Sequence, residues 1–156
     1  MIQGKIRISI IAISVLLLQM LMFPAFAQID PGAGIVSAVE YQSRKDYDKA
    51  ESILKDLIAA DAKCDAAWYY LGMNYIAKSD VEMAEECFQA AAAIDPSNFW
   101  YRYRLASLYA LTSREELTVD MYEKLLEDFP KKSDLYFSLV ELYSSQGEYD
   151  KALSTL

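Results

Sequence analysis

The sequence predicts an all-α protein in which antiparallel helix pairs stack into a solenoid, and three observations predict it. From residue 31 onward the chain aligns with itself at a shift of 34 residues without any insertion, a period typical of paired-helix repeats. Apolar residues recur three and four positions apart in stretches rich in Ala, Leu, Glu and Lys, the pattern of amphipathic helices. Pro96, Pro130 and Gly147 interrupt these stretches where the chain has to turn between helices.

The first element is residues 1–27, whose composition is that of an export signal. Lys5 and Arg7 precede an apolar run over residues 8–23, and Ala-Phe-Ala at 25–27 is a small-x-small cleavage motif. We expect cleavage after residue 27 and export, with the periplasm of a bacterium as the expected destination. The alternatives are an extracellular protein or an uncleaved anchor, although the run is shorter than the roughly 20 residues that cross a bilayer.

The charge and residue types of the mature chain exclude several function classes. Removal of the leader takes away Lys5 and Arg7 but no acid, leaving 13 basic against 23 acidic residues and a net charge of −10. This acidity disfavours nucleic-acid binding, because it repels phosphates. The chain has no histidine, so an imidazole base or metal ligand is absent. No cofactor and no metal site are predicted.

Four repeats follow the leader, and the second is the clearest. The predicted boundaries are 28–64 for a divergent first repeat, 65–98 and 99–132 for the next two, and 133–156 for a partial fourth. The signature residues of the second repeat are Trp68, Leu71, Gly72, Tyr75, Ala84, Phe88, Ala91 and Pro96. Gly34 and Ser37 weaken the first copy, and Thr118 replaces the small alanine of the third.

This pattern resembles the tetratricopeptide repeat (TPR) family, and the resemblance covers essentially all of the mature chain. It implies a right-handed superhelix of helix pairs that binds other polypeptides and has no catalytic activity. Within that architecture we expect small residues such as Gly72, Ala84 and Ala106 to let helices approach closely. The predicted helices are 35–44, 47–60, 66–78, 80–94, 98–111, 114–128, 134–145 and 148 onward. Their expected starts are Asp30-Pro31, Ser97 and a capping box of Ser113 with Glu116.

No arrangement of residues predicts an enzyme. The chain lacks a Gly-rich phosphate loop and a Gly-x-Ser-x-Gly elbow. The adjacent acids at 85–86 and 115–116 diverge by about 100° on a helix, so we interpret them as solvated. Cys64 and Cys87 are expected to be reduced, a disulfide being the alternative.

The TPR resemblance further implies a concave groove lined by the first helix of each pair. The residues that it places there are Tyr69, Tyr70, Met73, Ile76, Trp100, Tyr103, Arg104, Ser107, Phe137 and Glu141. Aromatic residues and arginine dominate binding hot spots, which favours a protein-binding groove; the alternative is that several of these side chains pack between helices. The family's clamp for acidic chaperone tails is not expected, because only Arg104 matches it. At the positions where that site has lysine or asparagine, this sequence has Ile35, Val39, Tyr70 and Trp100.

The chain ends within the second helix of the fourth repeat, from which we expect a longer repeat protein. Such an end would leave Leu142, Tyr143, Ala152 and Leu156 uncovered, so we expect fraying over 148–156 or self-association through that end. The favoured function is an exported scaffold for protein–protein interaction. The alternatives are the sensing or docking half of a larger protein and a self-assembling repeat array.

Overall fold

The computed structural model describes residues 30–156, and within this range the chain contains helices and no strands. The leader predicted at 1–27 lies outside the described residues. The helices are α1 Pro31–Ser43, α2 Tyr47–Ala60, α3 Asp65–Ala77, α4 Val81–Ile94, α5 Phe99–Leu111, α6 Glu115–Asp128, α7 Ser133–Ser145 and α8 Tyr149–Ser154. Each helix contacts the next in the chain, and α1 also contacts α3. No helix in residues 30–156 is long and apolar enough to cross a membrane.

The helix bounds agree with the predicted ones to within one residue except at α1, which begins four residues earlier than predicted. Pro31 occupies the first helical position, where the missing N–H costs nothing and the fixed φ angle suits a helix. Gly34 does not end the helix, because it is buried there. The low helix propensity of the glycines is therefore outweighed by packing.

Two of the predicted helix starts are wrong in their details. Ser113 is not a capping residue: its φ is 57°, and Arg114 occupies the N-cap of α6 without a side-chain capping bond. The start of α5 is capped by Asn98, whose Oδ1 accepts from the Trp100 N–H at 3.0 Å. Ser97 lies before the cap, where its hydroxyl donates to Asp95.

A left-handed residue lies two positions after the end of the first helix in all four repeats. Lys45, Ser79, Ser113 and Gly147 have φ of 61°, 62°, 57° and 76°, and successive members are 34 residues apart. A positive φ reverses the chain within a short turn, so this residue sets the antiparallel pairing of each repeat.

The buried side chains form two clusters, one over α1 to α5 and one over α5 to α8. Gly72 permits the closest approach in the first cluster, since a Cβ there would lie 2.6 Å from Phe88 Cε1. Thr118 is fully buried, and its hydroxyl donates to the Arg114 carbonyl, so the larger polar residue is accommodated. Cys64 and Cys87 are both free, and burial raises the pKa of the Cys87 thiol to about 12.

The expectation that the carboxyl-terminal apolar residues would all be uncovered is wrong for two of them. Tyr143 and Ala152 are buried, with 4% and 6% exposure, because they pack into the second cluster. The Tyr143 hydroxyl also donates to Glu123. Leu156 is 80% exposed, as expected.

Ion pairs join successive repeats. Arg114 donates to both carboxylate oxygens of Glu85, at 2.9 and 2.5 Å, and its guanidinium lies 4.3 Å from the Tyr109 ring centroid. The hydrogen bonds from Arg114 lower the pKa of Glu85. Glu85 is therefore a pairing residue, which corrects its interpretation as a solvated acid. Glu86 is exposed.

Candidate binding groove

Two depressions lie between the first helices of successive repeats. The first, of about 140 Å³, lies between α3 and α5 above the buried ring of Phe88. It is lined by Met73, Ile76, Phe88, Arg104, Ser107, Leu108 and Leu111. The second, of about 330 Å³, lies between α5 and α7 and is lined by Ala110, Thr118, Tyr122, Ser138, Glu141, Leu142 and Ser145.

The two depressions occupy the same place in consecutive repeats. Six of the residues that line the first have counterparts 34 positions later in the second, among them Arg104 with Ser138 and Ser107 with Glu141. The Ser107 Oγ is 3.5 Å from the Tyr122 Oη, so a residue of the first depression contacts the floor of the second. The fold therefore repeats one site with different chemistry.

The predicted groove residues fall into three groups. Met73 and Arg104, with Ile76 and Ser107, line the first depression, and Glu141 lines the second. The rings of Tyr69, Tyr70 and Tyr103 are partly buried, whereas Trp100 and Phe137 are 50% and 67% exposed. All five of these aromatic residues lie outside both linings.

Tyr69 belongs as much to the core as to the surface. Its ring centroid lies 5.1 Å from that of Tyr101 and 6.0 Å from that of Phe88, and Tyr70 meets it edge-on at 5.3 Å. The Tyr101 hydroxyl donates to Asp65 at 2.9 Å. The alternative that some of these aromatic side chains pack between helices therefore describes Tyr69 better than a purely groove-facing position does.

Trp100 is the exposed member of an aromatic cluster at the start of α5. Tyr103 stacks on Phe99 with centroids 5.3 Å apart, and the Trp100 ring lies 5.1 Å from Phe99 and 6.1 Å from Tyr103. The Lys132 ammonium lies 4.5 and 5.5 Å from the Phe99 and Trp100 centroids. These contacts hold the Trp100 ring in place and leave half of it accessible.

Arg104 differs from the other three arginines in residues 30–156. Arg44, Arg102 and Arg114 each pair with an acid, whereas no hydrogen bond or ion pair in this part of the chain reaches the side chain of Arg104. Its Nε is buried without a partner. A buried unsatisfied donor costs about 1–3 kcal/mol, and the Arg104 guanidinium has N–H groups that can donate to a ligand oxygen.

Comparisons with known proteins agree with this geometry. Sequence profiles described as tetratricopeptide repeat match residues 65–98, 101–132 and 121–154, which together span more than half of the chain. The chain belongs to the tetratricopeptide repeat family. The profile matches cover the helices that form both depressions.

Two curated relatives are similar to this TPR chain over part of their length. Anaphase-promoting complex subunit 3 of Schizosaccharomyces pombe is 26% identical over 132 residues, which is 83% of this chain and 20% of that protein. Protein bimA of Emericella nidulans is 35% identical over 79 residues, 49% of this chain and 10% of that protein. The chain thus spans a fifth or less of the length of these relatives.

Solved structures confirm the TPR solenoid fold. MamA superposes with a TM-score of 0.73 at 21% identity, covering 81% of this chain and 74% of that one. YrrB, described as a TPR protein with an unusual peptide-binding site, gives a TM-score of 0.69 at 20% identity, covering 81% of this chain and 65% of that one. At this identity the similarity establishes the fold alone.

Sequence reasoning missed several residues of the TPR groove. Ser138 and Ser145 line the second depression, and Lys132 covers the Trp100 cluster. The repeat alignment held the signal for the two serines, since each is 34 residues after a residue of the first depression. Nothing in the alignment pointed to Lys132. Among residues 30–156, no group of three or more His, Cys, Asp or Glu side chains could hold a metal ion.

Proposed function

We propose that this chain is an exported scaffold that binds other polypeptides along the groove formed by α3, α5 and α7. The observation that carries the proposal is that α5 bears a half-exposed Trp100 and, four residues later, an Arg104 that has no acidic partner in residues 30–156. Tryptophan and arginine are the residue types most enriched in binding hot spots. A ring held by neighbouring aromatic rings loses little entropy when a partner covers it.

The fold supports a scaffold over an enzyme. TPR folds are typically non-catalytic, and the depressions contain no nucleophile paired with a base. Both are open grooves between helices, the kind of surface on which a peptide chain lies. YrrB, which has the same fold, is described as having a peptide-binding site, and this supports polypeptides as the partner class.

The groove is tested by selecting binders from a library of random twelve-residue peptides with blocked ends and measuring their affinity by fluorescence anisotropy. Trp100→Ala should weaken binding by about 2 kcal/mol or more while leaving helicity unchanged. Tyr70→Ala should also weaken it. Tyr149→Ala is the matched control, because Tyr149 is a 70% exposed aromatic residue on α8. Equal affinity for the wild type and the two groove variants would show that the groove is not the binding surface.

Export is the second part of the proposal and rests on the leader at residues 1–27. Expression of the whole sequence in a bacterium, followed by fractionation and amino-terminal sequencing, tests it. We expect periplasmic protein that begins at Gln28. Protein that begins at Met1 and stays with the membrane would show that the segment is an anchor.

A further inference from the structure

The two repeat-related depressions carry side chains of opposite charge, and this difference indicates which charged groups a ligand would place in each. In the first, Arg104 supplies N–H donors among apolar walls that include Ile76 and Leu111. Their counterparts in the second are Ser138, Ala110 and Ser145, and Ser107 is replaced by Glu141. One repeat therefore offers a cation in an apolar setting and the next offers an anion in a more polar one.

Three side chains of the second depression, Ser138, Ser145 and Glu141, present acceptors. The Ser138 hydroxyl donates to the Asp134 carbonyl at 2.9 Å, and the Ser145 hydroxyl donates to the Leu142 carbonyl at 2.7 Å. Because these protons are used within the helix, the hydroxyl oxygens have only lone pairs left to offer. Glu141 adds a carboxylate that makes no hydrogen bond or ion pair within residues 30–156. The fitting occupant is a group with donors alone, a lysine ammonium or an arginine guanidinium.

The first depression needs the opposite group. The buried Arg104 Nε has no partner, and the guanidinium makes its strongest hydrogen bonds with a carboxylate. The apolar walls reduce the local dielectric, which strengthens such a bond. A ligand carboxylate is therefore the group that this site satisfies best.

The spacing of the depressions sets the spacing of the ligand groups. They lie on either side of α5, and packed helices have axes about 8–10 Å apart. An extended or polyproline chain advances about 3.1–3.4 Å per residue, so the two groups should be two to four residues apart. We infer that the groove recognises an internal, extended polypeptide segment whose acidic side chain binds Arg104 and whose basic side chain, two to four residues away, binds Glu141. This inference rests on the proposed polypeptide-binding function.

The probes are twelve-residue peptides with blocked ends that carry one Asp and one Lys three residues apart, in both orders, in a background of Leu, Thr and Gly. Isomers with the two charges nine residues apart, and the same peptides with a free carboxyl end and Asn in place of Asp, complete the set. In fluorescence anisotropy we expect one order at the short spacing to bind best, by about tenfold over the distant isomer. The peptide whose only carboxylate is terminal should bind more weakly than that order.

Variants of the groove provide the reciprocal test. Arg104→Glu and Glu141→Lys should each weaken the preferred peptide about tenfold, and the double variant should prefer the opposite order. Arg104→Met removes the charge without placing an acid in a half-buried position. The affinity of this variant should no longer depend on the Asp of the peptide. Lys131→Glu and Glu127→Lys change the same charges at exposed positions outside both linings and should leave affinity unchanged.

The outcomes separate this inference from the proposed function. Affinity that ignores charge order and spacing but falls with Trp100→Ala would overturn the inference and leave the polypeptide-binding function intact. Equal binding by the peptide with only a terminal carboxylate would also overturn it, because Arg104 would then bind chain ends. If no peptide of the set or of the random library bound, the proposed function would fail and the inference with it.

Discussion

At the residue scale, one backbone position in each repeat shapes the helix pairs. Lys45, Ser79 and Ser113 adopt a left-handed conformation that costs a residue with a side chain roughly 1–2 kcal/mol, while Gly147 adopts it freely. The sequence marked Gly147 as a breaker because glycine is the usual residue there. A serine or lysine gives no such signal, so the sequence pattern predicts a helix cap at Ser113.

Ser79→Gly should stabilise the chain by about 0.5–1 kcal/mol, because relief of the positive φ outweighs the extra entropy of glycine in the unfolded state. Gly147→Ala should destabilise it by about 1 kcal/mol, because alanine is strained at a positive φ. A Cβ there would meet no atom within 4 Å, so backbone strain is the only cost. Denaturant unfolding measures both changes.

Ser144→Gly is the control, since Ser144 is exposed within α7, where glycine should cost up to about 1 kcal/mol. Destabilisation by Ser79→Gly of the same size as by Ser144→Gly would mean that the turn is not left-handed.

At the element scale, charged groups fix one helix pair to the next. Glu51 on α2 accepts from Lys55 at 2.6 Å, from Lys78 at 2.8 Å and from the Tyr75 hydroxyl at 3.0 Å. In the next junction Glu85, which is 34 residues later, pairs with Arg114. The third junction has Val119 at the equivalent position, so no ion pair of this kind within residues 30–156 joins the third repeat to the fourth.

The Glu51 cluster predicts a pH dependence. The hydrogen bonds from Lys55 and then Lys78 lower the pKa of Glu51 from 4.5 to about 2. Because the folded-state pKa is the lower one, this stabilisation is complete above pH 4.5 and is lost as the pH falls towards 2. Glu51→Gln should cost on the order of 1–2 kcal/mol at pH 7, after solvent screening is allowed for, and clearly less at pH 3.

Unfolding by denaturant at the two pH values provides the measurement. Asp56→Asn, at an exposed position on the same helix, is the matched control and should show little cost at either pH. An equal loss for Glu51→Gln at pH 7 and pH 3 would mean that the effect comes from packing and not from charge.

At the scale of the whole molecule, the fold followed from the sequence more closely than the groove did. The 34-residue period and the apolar spacing predicted helix bounds because both depend on local pattern. The groove depends on which side chains neighbouring helices bury. In the sequence, Tyr69 and Arg104 are both simply residues on the first helix of a repeat, and both are predicted to line the groove. Only the structure shows that Tyr69 packs on Tyr101 while Arg104 lacks a partner within residues 30–156.

The carboxyl-terminal residues illustrate the same limit. The positions of Tyr143 and Ala152 in the repeat identified them as apolar packing residues, but their burial depends on α8 folding back onto α7. Leu153 and Leu156, on the far side of that contact, remain 74% and 80% exposed. The repeat pattern does not show how α8 packs on α7, so it does not separate Ala152 from Leu153 and Leu156.

Whether polypeptides bind in the groove between the first helices can be measured residue by residue with nuclear magnetic resonance. The labelled chain is titrated with the strongest peptide from the random library, and side-chain shifts are followed. We expect saturable shifts at Met73, the Trp100 indole and Arg104, with small changes at Leu117 on α6. Shifts confined to α6 and α8, with Met73, Trp100 and Arg104 unmoved at saturation, would contradict binding in this groove.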